Sequence, residues 1–573
     1  MRSLYEAKEL GATARPSQEP GEPRRSARAR GAAEPSGARH GTESRRDRLV
    51  GMGFGAEGAG WAIATPHMLA TDAGARAFDR GGNAIDAALA AAVTLAVSYP
   101  HMCGVGGDLF ALVQLEDGRT MAVNASGAAP SGTRPDELRA RWGDAMPEHG
   151  PDTVTVPGAV SGWAAVHGLG ARLPWETAFD AGLEAATRGV TVSHDLARTL
   201  VRHAARLRDD PGLADVFFPG GEAPAEGDPL HQRALGDTLR EIAQGGPDVL
   251  YGGQLGHRYA HGLRGLGVPI RDDDLGGHRA EVLPALSARY RDLHVSVAPP
   301  NSQGFALLEL LLLIERLGIP PDPLSDAAGT IALAIGAVAA DRDEHLADSA
   351  SMSVHPHTLL DEGHIAGLAD EVREGRLPGE PLARATGDTI ALVTADASGA
   401  AVSLIQSLYS GFGSGLLEPS TGIVAHSRGA CFTLRPGHVN EPAPGKRPAH
   451  TLMPVTVHRA GKLAAVAGTM GGHAQPQINA SVLMGAFDRG MTPEAAVGAP
   501  RWLAWGMDPS SGARVAWAEA DVPADARDAL ETEGFAVVEA AEHDTGHAHL
   551  IAIGPSGFVA GSDPRADGGA LAG

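Results

Sequence analysis

The chain has 573 residues, 43% hydrophobic, 4% aromatic and 20% charged, with 47 Lys/Arg against 69 Asp/Glu and a net charge of −22. That length allows several domains or one large layered fold, and so acidic a chain argues against general nucleic-acid binding, whose footprint is basic. Two cysteines, Cys103 and Cys431, exclude a disulfide framework and a cysteine-rich zinc site, no apolar run reaches the ~18 residues of a membrane span, and a reduced, cytoplasmic chain is the expectation.

Residues 1–50 carry eleven Lys/Arg and seven acids, a net +4 that leaves −26 for the remainder. Rich in Pro, Gly, Ser, Glu and Arg and poor in large apolar residues, this segment cannot offset its ordering entropy and reads as a disordered leader. It lacks the continuous apolar stretch of a secretory signal. Order is expected from about Gly51. Asn83 can cap a helix over 84–97 that is apolar on nearly every side and therefore buried. The segment 101–107 breaks it, 109–115 reads as a strand, and Asp117-Gly118 turns the chain into a second strand over 120–124. From about 157 to 320 the pattern is helical, with a strong helix over 307–316 stopped by Pro320-Pro321. Another helix covers 332–347. After about 388 the texture changes to short strands, Gly-rich turns and two further helices. No period of 20–50 residues recurs, which excludes a solenoid or propeller.

The segment from 387 to 434 carries the chemistry. Residues 390–395 and 400–408 both suit strands and are separated by Asp396-Ala-Ser-Gly399. A loop of three residues (Ala397, Ser398, Gly399) is a type I turn followed by a left-handed glycine. That register pairs 396 with 400 and so sets Thr389 directly opposite Ser407. A threonine hydroxyl is a poor nucleophile unless a base takes its proton. An α-amino group, with a pKa of roughly 7.7–8.0, titrates near working pH and suits that task. An internal threonine has no such amine unless the chain is first cut before it. On spacing alone, Gly387-Asp-Thr389 reads as a turn ahead of a strand.

The surroundings add a resemblance. Gly387-Asp-Thr-Ile390, Asp396-Ala-Ser-Gly-Ala-Ala-Val-Ser403, Phe412-Gly-Ser-Gly415 and Gly422-Ile423 resemble the start of the small subunit of gamma-glutamyltransferases, self-processing N-terminal-nucleophile hydrolases. The likeness continues through Pro444-Gly-Lys-Arg-Pro448, Pro454 and Gly471-Gly472. Upstream it takes in Gly81-Gly-Asn-Ala-Ile-Asp86, Gly104-Val-Gly-Gly107, Val156-Pro-Gly158, Pro299-Pro-Asn-Ser-Gln-Gly304 and Asp341-Arg-Asp-Glu-His345. These short motifs run co-linearly from about 55 to 560.

The resemblance implies a mixed α/β fold, the αββα four-layer sandwich, built from two subunits of one self-cleaved precursor. Cleavage would fall between Asp388 and Thr389, leaving a large subunit of 388 residues (51–388 once the leader is set aside) and a small one of 185, residues 389–573. Thr389 would be nucleophile and, through its new amine, base; Ser407 would bond the nucleophile; Gly471 and Gly472 would hold the oxyanion with their N–H groups. The implied assembly is a heterodimer of the chain's own subunits, which can pair further. The implied ligand is a small-molecule amide, with no cofactor, no metal, no nucleic acid and no membrane.

Departures from the family pattern bear on the substrate. Glutathione-using members pair the substrate α-carboxylate with an arginine, and Ser126, in Val123-Asn-Ala-Ser-Gly-Ala-Ala-Pro130, stands in its place. Where they keep an asparagine and an aspartate for the α-carboxylate and α-amine, this chain has Tyr409 and Cys431. A serine pair is replaced by His450-Thr451. The pocket is therefore expected to lack both charged partners of a glutamyl group, a change of substrate class. The pattern is similar to the oxamate amidohydrolase branch, with Asn124, Ser126, Tyr409, Cys431, His450 and Thr451 around a small amide acid. Glutathione hydrolysis or glutamyl transfer is the alternative, followed by a cephalosporin-type acylase and an unprocessed, non-catalytic binding protein.

Other clusters are weaker. His543-Asp-Thr-Gly-His547-Ala-His549 can supply imidazoles to a metal but reads as loop histidines, and His355 and His357 flank Pro356 in a loop. Cys431 reads as a pocket-lining thiol without a base rather than a nucleophile. Neither a G-x-S-x-G elbow nor an H-E-x-x-H helix is present.

Overall fold

The computed structural model describes residues 53–375, 387–507, 513–541 and 544–573. The leader expectation for 1–50, and His543, lie outside them. Among the described residues no helix is long and apolar enough to cross a membrane.

Two seven-stranded sheets dominate. In chain order their strands begin with β1 (Gly55–Gly58), β2 (Trp61–Thr65), β3 (Asp108–Gln114) and β4 (Thr120–Ala125). Next come β5 (Glu281–Pro284), β6 (Leu286–Tyr290), β7 (Leu293–Val297), β8 (Asp388–Asp396) and β9 (Ala401–Tyr409). The set closes with β10 (Val455–Arg459), β11 (Lys462–Thr469), β12 (Ala548–Gly554), β13 (Gly557–Ser562) and β14 (Gly569–Ala572). The first sheet runs β14-β2-β8-β9-β3-β4-β5 and the second β1-β13-β12-β11-β10-β7-β6. Every neighbouring pair in both is antiparallel.

Strand alternation explains how these sheets stack. Along β8, Ile390 and Leu392 join one helix-covered core, whereas Ala391, Val393 and Ala395 face the other sheet. Along β11, Ala465 and Ala467 belong to a second helix-covered core and Val466 to the inter-sheet layer. The layer between the sheets is built from small residues, so the backbones approach closely. A Cβ added at Gly468 would lie 3.1 Å from that of Ala391, and Ser403 Oγ donates to Ala467 O at 2.7 Å across the gap.

Helices α1 (Met68–Asp79), α2 (Ala84–Ser98) and α3 (Ala159–Gly168) cover the outer face of the first sheet. Helices α4 (Gly304–Leu317), α5 (Ala328–His345) and α6 (Gln475–Leu483) cover that of the second. The result is the αββα sandwich. Helix α2 has the expected cap: the Asn83 side chain accepts from the Ile85 and Asp86 N–H groups, and Asp86 accepts from the Asn83 N–H in return. Such caps are worth about 1 kcal/mol, and every residue of α2 is buried.

The helical reading of 157–320 fails over 281–297, where β5, β6 and β7 lie. Leu286-Ser-Ala-Arg-Tyr290 has a period of two, burying Leu286 and Tyr290 and exposing Ser287 and Arg289, as a strand requires. Among the described residues beyond 388 there are three α-helices rather than two, since Pro493–Gly498 and Ala524–Thr532 join α6.

Candidate active site

The β8–β9 hairpin sets the site. Its pairing runs from Ala395 with Ala401 to Ile390 with Gln406, the register that the three-residue loop dictates. It then breaks: Asp388 pairs with Tyr409, so β9 holds one extra residue and its Ser407 and Leu408 together oppose Thr389, a bulge in β9 facing Thr389. The backbone pairing of 389 with 407 is therefore absent. The side chains meet nonetheless, with Thr389 Oγ1 donating to Ser407 Oγ at 3.0 Å. Ser407 Oγ donates to the Asp388 carbonyl oxygen at 2.7 Å and accepts the Tyr409 N–H at 2.7 Å. Tyr409 has φ = 80°, a left-handed conformation that costs a non-glycine residue about 1–3 kcal/mol. Thr389 is 0% exposed and Ser407 1%.

Gly471 (φ 144°) and Gly472 (φ 54°) lie between β11 and α6. A Cβ on Gly387 would sit 2.6 Å from Gly472 Cα, so the backbone just before Thr389 crosses directly over the glycine pair. Gln303 Nε2 clamps the pair by donating to Gly472 O at 2.9 Å and to Thr451 O at 2.8 Å. Among the described residues, neither glycine N–H is bonded to an acceptor. Two free donors beside a strained turn are the arrangement an oxyanion needs.

Next to this end of the hairpin lies a cavity of about 390 Å³. Tyr409, Cys431, His450, Thr451, His473 and Arg342 are among its walls, whereas Thr389 and Ser407 do not line it. Asn124 and Ser126 do not line it either. Asn124 Nδ2 donates to Asn301 Oδ1 at 2.9 Å, and its Oδ1 accepts from the Ser126 N–H and Oγ–H. Of the residues that the sequence groups around a substrate, the fold thus collects Tyr409, Cys431, His450 and Thr451 at one wall and leaves Asn124 and Ser126 in a buried knot with Asn301.

The pocket does not lack charge, contrary to the expectation. Arg342, from α5, lines the cavity; its Nη1 donates to His473 O at 3.1 Å and its Nη2 lies 2.7 Å from Asp343. Arg428, fully buried behind the wall, donates from Nη1 to Thr451 Oγ1 at 2.9 Å and to Cys431 Sγ at 3.6 Å. Its guanidinium carbon is 4.5 Å from the centre of the Tyr409 ring. Behind it stands Asp108, which pairs with Ser407 across β3 and β9. The Asp108 carboxylate lies 3.0 Å from His450 Nε2, 3.4 Å from His426 Nδ1 and 3.7 Å from Arg428 Nε, and it accepts the Gly127 N–H. Burial alone would raise its pKa, but His426 and His450 overcome that and hold it well below the usual carboxylate range. Burial, aided by Arg428, pushes His450 down to about 3, so its ring is neutral. Its Nδ1 accepts from the Leu452 N–H at 3.2 Å, which leaves the proton on Nε2 facing Asp108. Burial pushes the Asp388 carboxyl up to about 6, against the pull of His101 and of Arg202 and Arg198.

Asp108, Arg428, Arg342 and Gln303 escaped the sequence reading as site residues, although Arg342 and Gln303 fall within its motifs. The signal for Arg428 was a lone arginine among small residues, three positions before Cys431. Nothing local distinguishes Asp108, which acquires its role from the strand opposite.

For metals, Glu309, Asp341 and His364 bring one ligand atom each to within 4.8 Å of one another, outside the cavity wall. His364 Nε2 bonds both carboxylates, and the bond to Glu309 leads in raising its pKa to about 9. The three are therefore joined as a hydrogen-bonded triad, in which Glu309 Oε2 has no partner among the described residues. Of the other histidines, which the sequence reads as exposed or hydrogen-bonded in a loop, His547 lies directly before β12 and His549 in β12; both are 1% exposed, and His549 Nδ1 is hydrogen-bonded to Ser562 Oγ. His355 caps the turn Pro356–Leu359 and stacks on His357.

Two facing antiparallel sheets between helical layers, with a threonine beginning a central strand, define the N-terminal-nucleophile hydrolase class. Within it the chain belongs to the gamma-glutamyltranspeptidase family, whose model matches residues 70–573. It is 36% identical over 520 residues to the glutathione hydrolase-like YwrD proenzyme of Bacillus subtilis, covering 89% of this chain and 98% of that one. It is 35% identical over 538 residues to the oxamate amidohydrolase proenzyme of Klebsiella pneumoniae, with the same two coverages. Its fold matches the crystal structure of cephalosporin acylase from Bacillus halodurans with a TM-score of 0.83 at 31% identity, over 94% of this chain and 99% of that one. The protein is thus an enzyme of this hydrolase family.

Proposed function

We propose that the protein is a self-processing amidohydrolase whose nucleophile is Thr389. In the precursor, Thr389 Oγ adds to the Asp388 carbonyl carbon as its proton passes to Ser407 Oγ, the group it already faces at 3.0 Å, and Ser407 hands its own proton to the Asp388 carbonyl oxygen at 2.7 Å. The neutral tetrahedral adduct that forms holds on its new hydroxyl the proton that the departing nitrogen takes up. The C–N bond then breaks, the nitrogen is protonated, and the Asp388 acyl group rests as an ester on Thr389 Oγ. Water hydrolyses that ester, leaving the Asp388 carboxylate and a free α-amine on Thr389.

Turnover follows the same path with an external amide. The α-amine, with a pKa of roughly 7.7–8.0, takes the proton of its own hydroxyl. The Gly471 and Gly472 N–H groups receive the oxyanion, the substrate amine leaves, and water or a second amine releases the acyl group. The observation that carries this reading is the single hydroxyl, Ser407 Oγ, bonded both to Thr389 Oγ1 and to the carbonyl oxygen of the bond to be cut. The acyl donor in this reading is a small amide acid of the oxamate type. In its favour, the wall beside the nucleophile is made of Tyr409, Cys431, His450 and Thr451. Glutathione is the second reading, favoured by the likeness to a glutathione hydrolase-like relative.

The mass spectrum of the purified protein tests the processing step, with fragments ending at Asp388 and beginning at Thr389 expected. Ammonia release from oxamate, measured beside glutamate release from glutathione, tests the substrate. Turnover of glutathione alone defeats the first reading.

A further inference from the structure

Arg428 is in contact with three residues of the cavity wall at once, Tyr409, Cys431 and Thr451. It stands at the start of the short turn Arg428–Cys431 and is 0% exposed. Its Nη1 is spent on Thr451 and Cys431, and its flat face lies against Tyr409. Its Nε and Nη2 have no hydrogen-bond acceptor, although both are buried. A guanidinium offers five donors, and buried donors left without acceptors are costly enough to need an explanation. Asp108 does not supply it. That carboxylate stands 3.7 Å from Nε, already shared among His450, His426 and the Gly127 N–H. Arg342, a cation that lines the cavity itself, is held instead by Asp343, Gln303 and the His473 carbonyl.

The contacts fix what the wall presents. Thr451 Oγ1 accepts from Arg428, so its own proton is turned away from the guanidinium, and Thr451 lines the cavity. Tyr409 keeps its proton, because burial raises its phenol well above the ordinary value. Two hydroxyl donors are therefore backed by a cation 4.5 Å behind one ring and 2.9 Å behind the other oxygen. Such a wall favours acceptors and negative charge. The carboxylates that line the cavity, Asp144, Glu148 and Asp343, are not among the wall residues that Arg428 touches, which are Tyr409, Cys431 and Thr451.

We propose that Arg428 sets the specificity of the acyl pocket, acting through Thr451 and Tyr409 as a positioning residue, and that the acyl donor is the monoamide of a short dicarboxylic acid. This rests on the Thr389 reading. It goes further in locating the positive charge on the Cys431 side of the pocket, behind its wall, whereas the sequence had looked for it at position 126.

The test uses the purified full chain and acid–diamide pairs of matched length: oxamate with oxamide, malonamate with malonamide, succinamate with succinamide. The readout is the ratio of kcat/KM for the acid to that for its neutral diamide. For at least one pair the wild type should favour the acid by about tenfold or more, the worth of one charge-assisted hydrogen bond. Arg428→Met should bring that ratio close to one, mainly through KM for the acid, and Arg428→Lys should keep a larger share of it. If Arg428→Met does not fold or process, Thr451→Val, which removes the intermediary hydroxyl, should lower the same ratio. An unchanged ratio in these variants overturns the assignment, as does a wild type that prefers the diamides or uses only glutathione. A wild type that splits before Thr389 yet shows no acid preference defeats this inference and leaves the Thr389 reading intact. A chain that neither splits nor releases ammonia defeats both.

Discussion

At its turn end the β8–β9 hairpin follows local rules: Asp396 N–H bonds Ala400 O, Gly399 takes φ = 91°, and the register holds as far as Ile390 with Gln406. At its open end, within the same two strands, the ladder slips at Thr389, Tyr409 adopts a left-handed backbone, and Ser407 Oγ makes three hydrogen bonds. The turn end is settled by residues next to one another in sequence. The open end is imposed by groups far away in the chain, among them Asp108, Gln303, Arg428 and the Gly471-Gly472 turn. Strain and buried charge gather at the Asp388–Thr389 end, where the proposed cut falls, as stored strain does at functional sites.

This contrast can be broken by substitution. Thr389→Ala should abolish both splitting and turnover, seen as one intact band on a denaturing gel and as activity below about one-thousandth of wild type. Two bands in that variant would remove the open end from the chemistry. Ser407→Ala keeps the nucleophile but removes the donor to the Asp388 carbonyl, and processing should slow by roughly 10²–10³-fold in a time course. At the other end, Gly399→Ala should cost about 1 kcal/mol of stability by urea unfolding, since alanine is strained at positive φ, with normal splitting. Loss of splitting there would show that the two ends are not separable.

The smallest effect belongs to the Glu309–Asp341–His364 triad, far from the hairpin. The folded-state pKa of His364, about 9, lies above its ordinary 6.5, so its stabilisation is complete below 6.5 and is lost as pH rises through 9. The melting temperature should fall across that interval, and the fall should flatten in His364→Gln. A fall of equal size in the variant would assign the titration elsewhere.

How far the site could be read from sequence follows the same division. The buried helix with its Asn83 cap, the loop at 397–399 and the neighbouring hydroxyls of Thr389 and Ser407 were legible, because each depends on residues within a turn or one hairpin. The strands at 281–297 were not, because short runs such as Leu293-His-Val-Ser-Val297 take their partners from β10, some 160 residues later. Nor was the charge of the pocket. Ser126, in the position expected for the substrate-binding arginine, is bonded to Asn124 and Asn301, while a guanidinium arrives from position 428.

By itself, then, the amino-acid order determined the layered class of fold, the family and the threonine that heads a central strand. It could do so because periodicity, turn residues and ordered motifs are properties of neighbours along the chain. Only the tertiary structure decided that a bulge of the partner strand faces Thr389, that one hydroxyl is bonded both to Thr389 Oγ1 and to the carbonyl before it, and that Arg428 stands behind the pocket wall. Those arrangements are contacts between strands and turns as much as 320 residues apart, and burial gives them an electrostatic strength that no local pattern reports.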